Sequence, residues 1–105
     1  MTTESIAGVT LTTKANVYFD GKCVSHGYTL ADGTKQSVGV VLAATLTFGT
    51  AAAEIMECVA GACEYKLDGE SEWKKSGPGE KFSVPANSKF DIRVAEAYHY
   101  ICHYA

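Results

Sequence analysis

Gly79-Glu80-Lys81-Phe82-Ser83-Val84-Pro85-Ala86-Asn87-Ser88-Lys89-Phe90-Asp91-Ile92-Arg93-Val94 contains two short runs of strict alternation separated by a proline turn. Phe82 and Val84 fall on one face of the first run. Phe90, Ile92 and Val94 fall on one face of the second, with Asp91 and Arg93 opposite. Successive side chains of a strand point to opposite faces, so this pattern predicts strands over Lys81–Val84 and Lys89–Val94, each with one buried face. Pro85-Ala86-Asn87 supplies a preset bend and a residue that tolerates positive φ.

The same grammar extends in both directions. Turn signals stand at Asp20-Gly21, Asp32-Gly33, Phe48-Gly49-Thr50, Ala60-Gly61, Asp68-Gly69 and Gly77-Pro78-Gly79. Between them lie the β-favouring runs Lys22–Leu30, Gln36–Phe48, Glu54–Val59, Ala62–Leu67 and Tyr98–Tyr104. Glu54–Val59 and Ala62–Leu67 flank Ala60-Gly61 and read as a hairpin. Ala51–Met56 admits a helical turn from its alanines, but it is short and bounded by strands. Residues 1–14 read as a tail or edge segment, and 15–105 as one all-β domain whose strands close on themselves.

Composition narrows the function. The 105 residues suffice for one domain. With 47% hydrophobic and 20% charged residues the chain has an ordinary globular balance. A formal net charge of −3 with scattered basic residues argues against a nucleic-acid partner. Residues 1–8 lack the basic and apolar regions of a secretion signal, and no apolar run is long enough to span a bilayer. A cytoplasmic location is therefore expected, with Cys23, Cys58, Cys63 and Cys102 reduced. No C-x-x-C occurs, and Cys58 and Cys63 read as small buried thiols facing each other across the expected hairpin.

Two segments carry a resemblance. Glu54 stands a strand's length before Gly61, and Gly79 stands before Pro85 with five residues between them. These segments resemble the two half-motifs of the cupin superfamily, which implies a single RmlC-like, double-sheet jelly-roll β-barrel. The departures are chemical. Where a cupin carries His-x-His the chain reads Thr47-Phe48-Gly49-Thr50, and where a further histidine follows the proline it has Phe90. One carboxylate does not hold an iron or manganese ion specifically, so no metal is expected. His99 and His103 share a strand face but stand about 13 Å apart, and His26 is isolated.

A longer resemblance runs from about Asn16 to Tyr104. It is carried by Tyr18-Phe19-Asp20-Gly21-Lys22, Ser37-Val38-Gly39-Val40, Glu54-Ile55-Met56-Glu57, Phe82-Ser83-Val84-Pro85-Ala86-Asn87 and Tyr100-Ile101-Cys102-His103-Tyr104. In these the chain is similar to the pyrimidine/purine nucleoside phosphorylases, small bacterial cupin-fold proteins. The resemblance implies pentosyl transfer: a purine or pyrimidine nucleoside plus inorganic phosphate gives free base and (deoxy)ribose 1-phosphate. It also implies a homodimer and no cofactor beyond phosphate as co-substrate. The alternative is a non-catalytic, metal-free cupin module that binds or senses a nucleoside or other small ligand.

The reaction sets the candidate residues. Breaking an N-glycosidic bond builds oxocarbenium character at the sugar, and the site must hold phosphate and stabilise the departing base. No glycine-rich phosphate loop is present. Lys35, Ser37 and Arg93 are the phosphate candidates, since a guanidinium fork suits phosphate. Glu54 or Glu57 would bind the ribose hydroxyls or act as the acid; three apart in a strand, they point to opposite faces. Tyr100 and Tyr104, on one face with Cys102, would stack on or hydrogen-bond the base. Each has a plainer reading beside it: solvated surface for Lys35, Arg93 and the glutamates, and core or dimer packing for the tyrosines.

Overall fold

The structure, a computed structural model, describes residues 3–104. Among the described residues eleven strands form two facing sheets, and one 3₁₀ turn, Phe19–Gly21, links β2 to β3. The strands are β1 (Thr10–Leu11), β2 (Asn16–Tyr18), β3 (Cys23–Thr29), β4 (Lys35–Val41), β5 (Ala44–Gly49), β6 (Glu54–Ala60), β7 (Cys63–Leu67), β8 (Lys74–Ser76), β9 (Lys81–Val84), β10 (Lys89–Val94) and β11 (Tyr98–Tyr104). The larger sheet runs β1-β3-β4-β11-β6-β9, with β2 also on β3; the smaller runs β5-β10-β7-β8. Every pairing is antiparallel. The chain is the expected all-β double-sheet jelly roll. The sheets share no strand, however, so it is a sandwich with an open end and not a barrel closed by hydrogen bonds.

β9 and β10, read from alternation, and β11, read as a β-favouring run, have the predicted bounds. Two expectations are corrected. Gln36–Phe48 is two strands in different sheets, broken at Leu42-Ala43. The segments either side of Gly61 are not a hairpin: β6 pairs with β11 and β9, while β7 pairs with β10 and β8. Gly61 is where the chain crosses between sheets. It sits at φ +76, and a Cβ there would overlap the Ala97 carbonyl oxygen. A turn signal marks a reversal without saying whether the flanking strands pair, and here packing against Ala97 carries the chain across. Ala51–Met56 shows no helix; β6 begins at Glu54.

The inner faces meet in a core built on the predicted stripes. Phe90, Ile92 and Val94 of β10 pack with Phe82 and Val84 of β9 and with Tyr98 of β11. Each large apolar side chain buried there contributes roughly 1.5–3 kcal/mol. Tyr65 stacks on Phe82 with centroids 3.8 Å apart. All four cysteines are buried as free thiols. Among the described residues no helix is long and apolar enough to cross a membrane.

Candidate functional site

At the open end the two sheets part around a cavity of about 270 Å³. One wall is the inner face of the larger sheet, where β4, β11 and β6 run side by side. Ser37 faces Cys102, and Tyr104 faces Glu54, as cross-strand neighbours. The other wall is aromatic: Phe48 of β5 stacks on Phe90 of β10 at 5.5 Å. Ser25 of β3 and Met56 of β6 complete the lining, and Tyr100 lies deeper.

The two half-motifs are tied together beside this cavity. Thr50 donates its hydroxyl to the Pro85 carbonyl (2.7 Å) and accepts the Ser88 N–H (3.0 Å). Its own N–H donates to the Ser88 carbonyl at 2.9 Å. This clamp holds the 85–88 turn, in which Asn87 adopts φ 53, against the start of β6, and so brings Glu54 and Phe90 to opposite walls.

The electrostatics follow from burial. Burial pushes the Glu54 carboxyl above its ordinary range, with the hydrogen bond from the Cys102 thiol acting in the opposite sense. Burial also pushes the Cys102 thiol up to about 12, and the Glu54 charge adds to this. The Tyr104 hydroxyl is pushed up to about 12 by burial, although its bond to Ser37, 2.9 Å long, opposes this. At neutral pH the cavity therefore offers hydroxyl and thiol donors, and burial raises the proton affinity of its carboxyl. No lysine or arginine lines it among the described residues.

Of the candidates from the sequence, the cavity gathers Glu54, Ser37, Tyr100 and Tyr104. Tyr100 is only 6% exposed; its ring lies over Gly39 and its hydroxyl meets Cys23 Sγ at 3.5 Å, so it forms the floor and offers no free stacking face. Lys35 does not line the cavity, but it shares the strand face of Ser37, two residues outward, and is exposed. Glu57 lies on the outer face of the larger sheet, bonded to His103 Nε2 (2.9 Å) and to the Thr3 hydroxyl (2.9 Å). Arg93 lies on the outer face of the smaller sheet. It is paired in bidentate fashion with Glu64 at 2.9 and 3.2 Å and stacked on Trp73 at 4.2 Å. The stripe opposite Arg93 faces the interior, which turns the guanidinium away from it.

Two residues that carried the resemblance but were not among the site candidates stand at the cavity mouth. The Phe19 ring meets Phe48 edge-on at 5.2 Å, beside Tyr18. Phe19, Asp20 and Gly21 adopt φ of 52, 55 and 90, three left-handed residues in succession. For a non-glycine residue this conformation costs about 1–2 kcal/mol. The Asp20-Gly21 turn signal was the available pointer, since an aromatic beside such a turn is presented outward.

A cupin metal does not fit these walls. At the positions of the cupin histidines Phe48, Gly49 and Phe90 line the cavity around Glu54. Among the described residues no three His, Cys, Asp or Glu side chains gather closely enough to hold an ion.

Comparison with known proteins agrees in fold and family. An RmlC-like cupin from Shewanella frigidimarina superposes with TM-score 0.68 at 14% identity over 88% of this chain and 82% of its own, a likeness of fold alone. A crystal structure of a protein of unknown function from Acinetobacter sp. ADP1 superposes with TM-score 0.94 at 40% identity, covering 96% of this chain and 98% of that one. A protein of Ralstonia nicotianae named pyrimidine/purine nucleoside phosphorylase is 83% identical over 105 residues, the whole of both chains. One of the same name from Delftia acidovorans is 80% identical, again over the whole of both. Residues 13–104 match the family described as pyrimidine/purine nucleoside phosphorylase. The chain belongs to the pyrimidine/purine nucleoside phosphorylase family.

Proposed function

We propose that the chain is a nucleoside phosphorylase, a pentosyltransferase that cleaves purine and pyrimidine nucleosides with inorganic phosphate in the cavity between the sheets. The observation that carries the reading is the Glu54 carboxyl, its proton affinity raised by burial, between a hydroxyl-bearing wall and an aromatic wall. In its protonated form this carboxyl serves twice. It donates a proton to the departing base, and it does not repel the phosphate dianion. In the step, the C1′–N bond breaks and its electron pair leaves with the base, which takes the Glu54 proton. A phosphate oxygen forms the new bond to C1′, and the proton that the hydrogen phosphate carried returns through solvent to the carboxylate. Ser37 and Tyr104 hold the sugar hydroxyls or phosphate oxygens. Lys35, the next residue outward on the Ser37 face, supplies a cation at the rim. Arg93 and Glu57 are left out of the site because their side chains are engaged elsewhere.

The cavity is near the lower limit of ligand sites, about 300 Å³. Only part of a nucleoside fits inside, and the base extends to the mouth. We further propose that the enzyme is cytoplasmic, needs no metal and forms a homodimer. Four buried free thiols support the first, the donor set the second, and exposed Leu11, Val38 and Ile55 on the larger sheet the third. Uridine and adenosine incubated with and without phosphate test the reaction. Release of uracil and adenine only with phosphate is expected, with and without chelator. Saturable binding without turnover would replace the enzyme by the ligand-binding module.

A further inference from the structure

The 3₁₀ turn at the cavity mouth combines three features. Three successive residues take left-handed φ, two of them not glycine. The Phe19 side chain that this conformation presents remains 42% exposed, and Tyr18 just before it, in extended conformation, 47%, so core burial does not offset the strain. Both side chains line the same cavity as Glu54, with Phe19 edge-on to Phe48. Strain of this kind persists only where the surroundings impose it, and it concentrates at sites that grip ligands. Here the surroundings are the Lys22 N–H, which donates to the Phe19 carbonyl at 3.1 Å, and the paired strand β2.

We propose that Phe19 is the base-stacking arm of the site: the turn holds its ring at the mouth so that a nucleobase extending from the cavity stacks against it, with Phe48 and Tyr18 as the flanking surfaces. This rests on the reading of the cavity as a nucleoside site and assigns the residue that sets its substrate range. Every nucleobase presents a π face, so stacking grips purines and pyrimidines alike, whereas edge hydrogen bonds would discriminate between them. The aromatic wall supplies the contact common to all bases. The sugar and phosphate, common to all substrates, meet the hydroxyl wall.

Phe19→Ala should raise KM for uridine and adenosine by about tenfold each, leaving KM for phosphate unchanged. Phe19→Leu, which keeps the apolar contact to Phe48 but removes the ring, should show most of the same rise, and so separates stacking from loss of packing. A readout independent of turnover uses the single tryptophan, Trp73, which lies on the outer face of the smaller sheet. In Phe19→Trp/Trp73→Phe, uridine or adenosine without phosphate should quench the remaining fluorescence to saturation. Nucleoside KM in both Phe19 variants equal to that of the native chain, with no quenching, would overturn the stacking arm while leaving phosphorolysis standing. Quenching in a chain that releases no base would uphold the arm and remove the catalytic reading.

Discussion

His103 and Glu57 meet at 2.9 Å on the outer face of the larger sheet, and the chain of hydrogen bonds through them fixes their roles. The Tyr28 hydroxyl donates to the Gln36 carbonyl oxygen (2.8 Å), which turns the Gln36 amide toward His103 Nδ1 (3.0 Å). Nδ1 then accepts, and Nε2–H donates to Glu57. The Thr3 hydroxyl donates to the other Glu57 oxygen, tying the start of the chain to the sheet.

This arrangement predicts a pH dependence of stability. Burial disfavours the Glu57 charge, but the hydrogen bonds from His103 and Thr3, with the Lys81 charge, outweigh it and hold the carboxyl below its ordinary range. A depressed carboxyl stabilises the fold at pH values above the unfolded pKa of about 4.3, and that contribution is lost as pH falls through the lower folded value. Glu57→Gln should therefore lower Tm at pH 7 by about 5 °C. The gap should close in melts taken below pH 4, and turnover should be unaffected.

Glu54 predicts the opposite sign. Its folded pKa is raised, so the neutral form is favoured and the contribution to stability is lost as pH rises through that value. Glutamine mimics the neutral form. Glu54→Gln should raise Tm at pH 7 yet lower kcat by about 10²-fold or more, as expected for loss of a general acid. Thermal melts and steady-state rates on one preparation check both.

The crossing at Gly61 gives a steric prediction with an internal control. Gly69 has φ +85 and nothing within 4 Å of where a Cβ would stand, whereas a Cβ on Gly61 overlaps Ala97. Gly69→Ala should cost about 1–2 kcal/mol from backbone strain alone. Gly61→Ala adds overpacking and should cost about 3 kcal/mol or more in urea unfolding.

Arg93→Ala removes an exposed ion pair with Glu64 and a stack on Trp73, neither of which touches the cavity. We expect kcat/KM within about a factor of two of the native chain and a small fall in Tm. Loss of phosphate dependence in this variant would bring Arg93 back into the site.

Alternation made β9 and β10 legible, because each buries one face, whereas central β11 buries Ile101 on its second face as well. β8 was not legible: Lys74-Lys75-Ser76 carries no apolar stripe, and it forms only as an edge strand on β7. Of the candidate residues, Glu54, Ser37 and Tyr104 line the cavity between the sheets. Arg93 was correctly placed opposite the apolar stripe, but a sequence does not say that the stripe's side also holds the cavity. Phe19 depends on backbone angles that no periodicity encodes.

β11 lies at the centre of the larger sheet, between β4 and β6, yet follows both in the chain. Until it emerges during synthesis, both neighbours hold open edges, and Ser37 and Glu54 belong to separate fragments. Assembly must wait for distant segments to meet, which places this small protein among the slow folders. The strand that completes the sheet is also the strand that completes the cavity wall, so no partly folded form has a finished site.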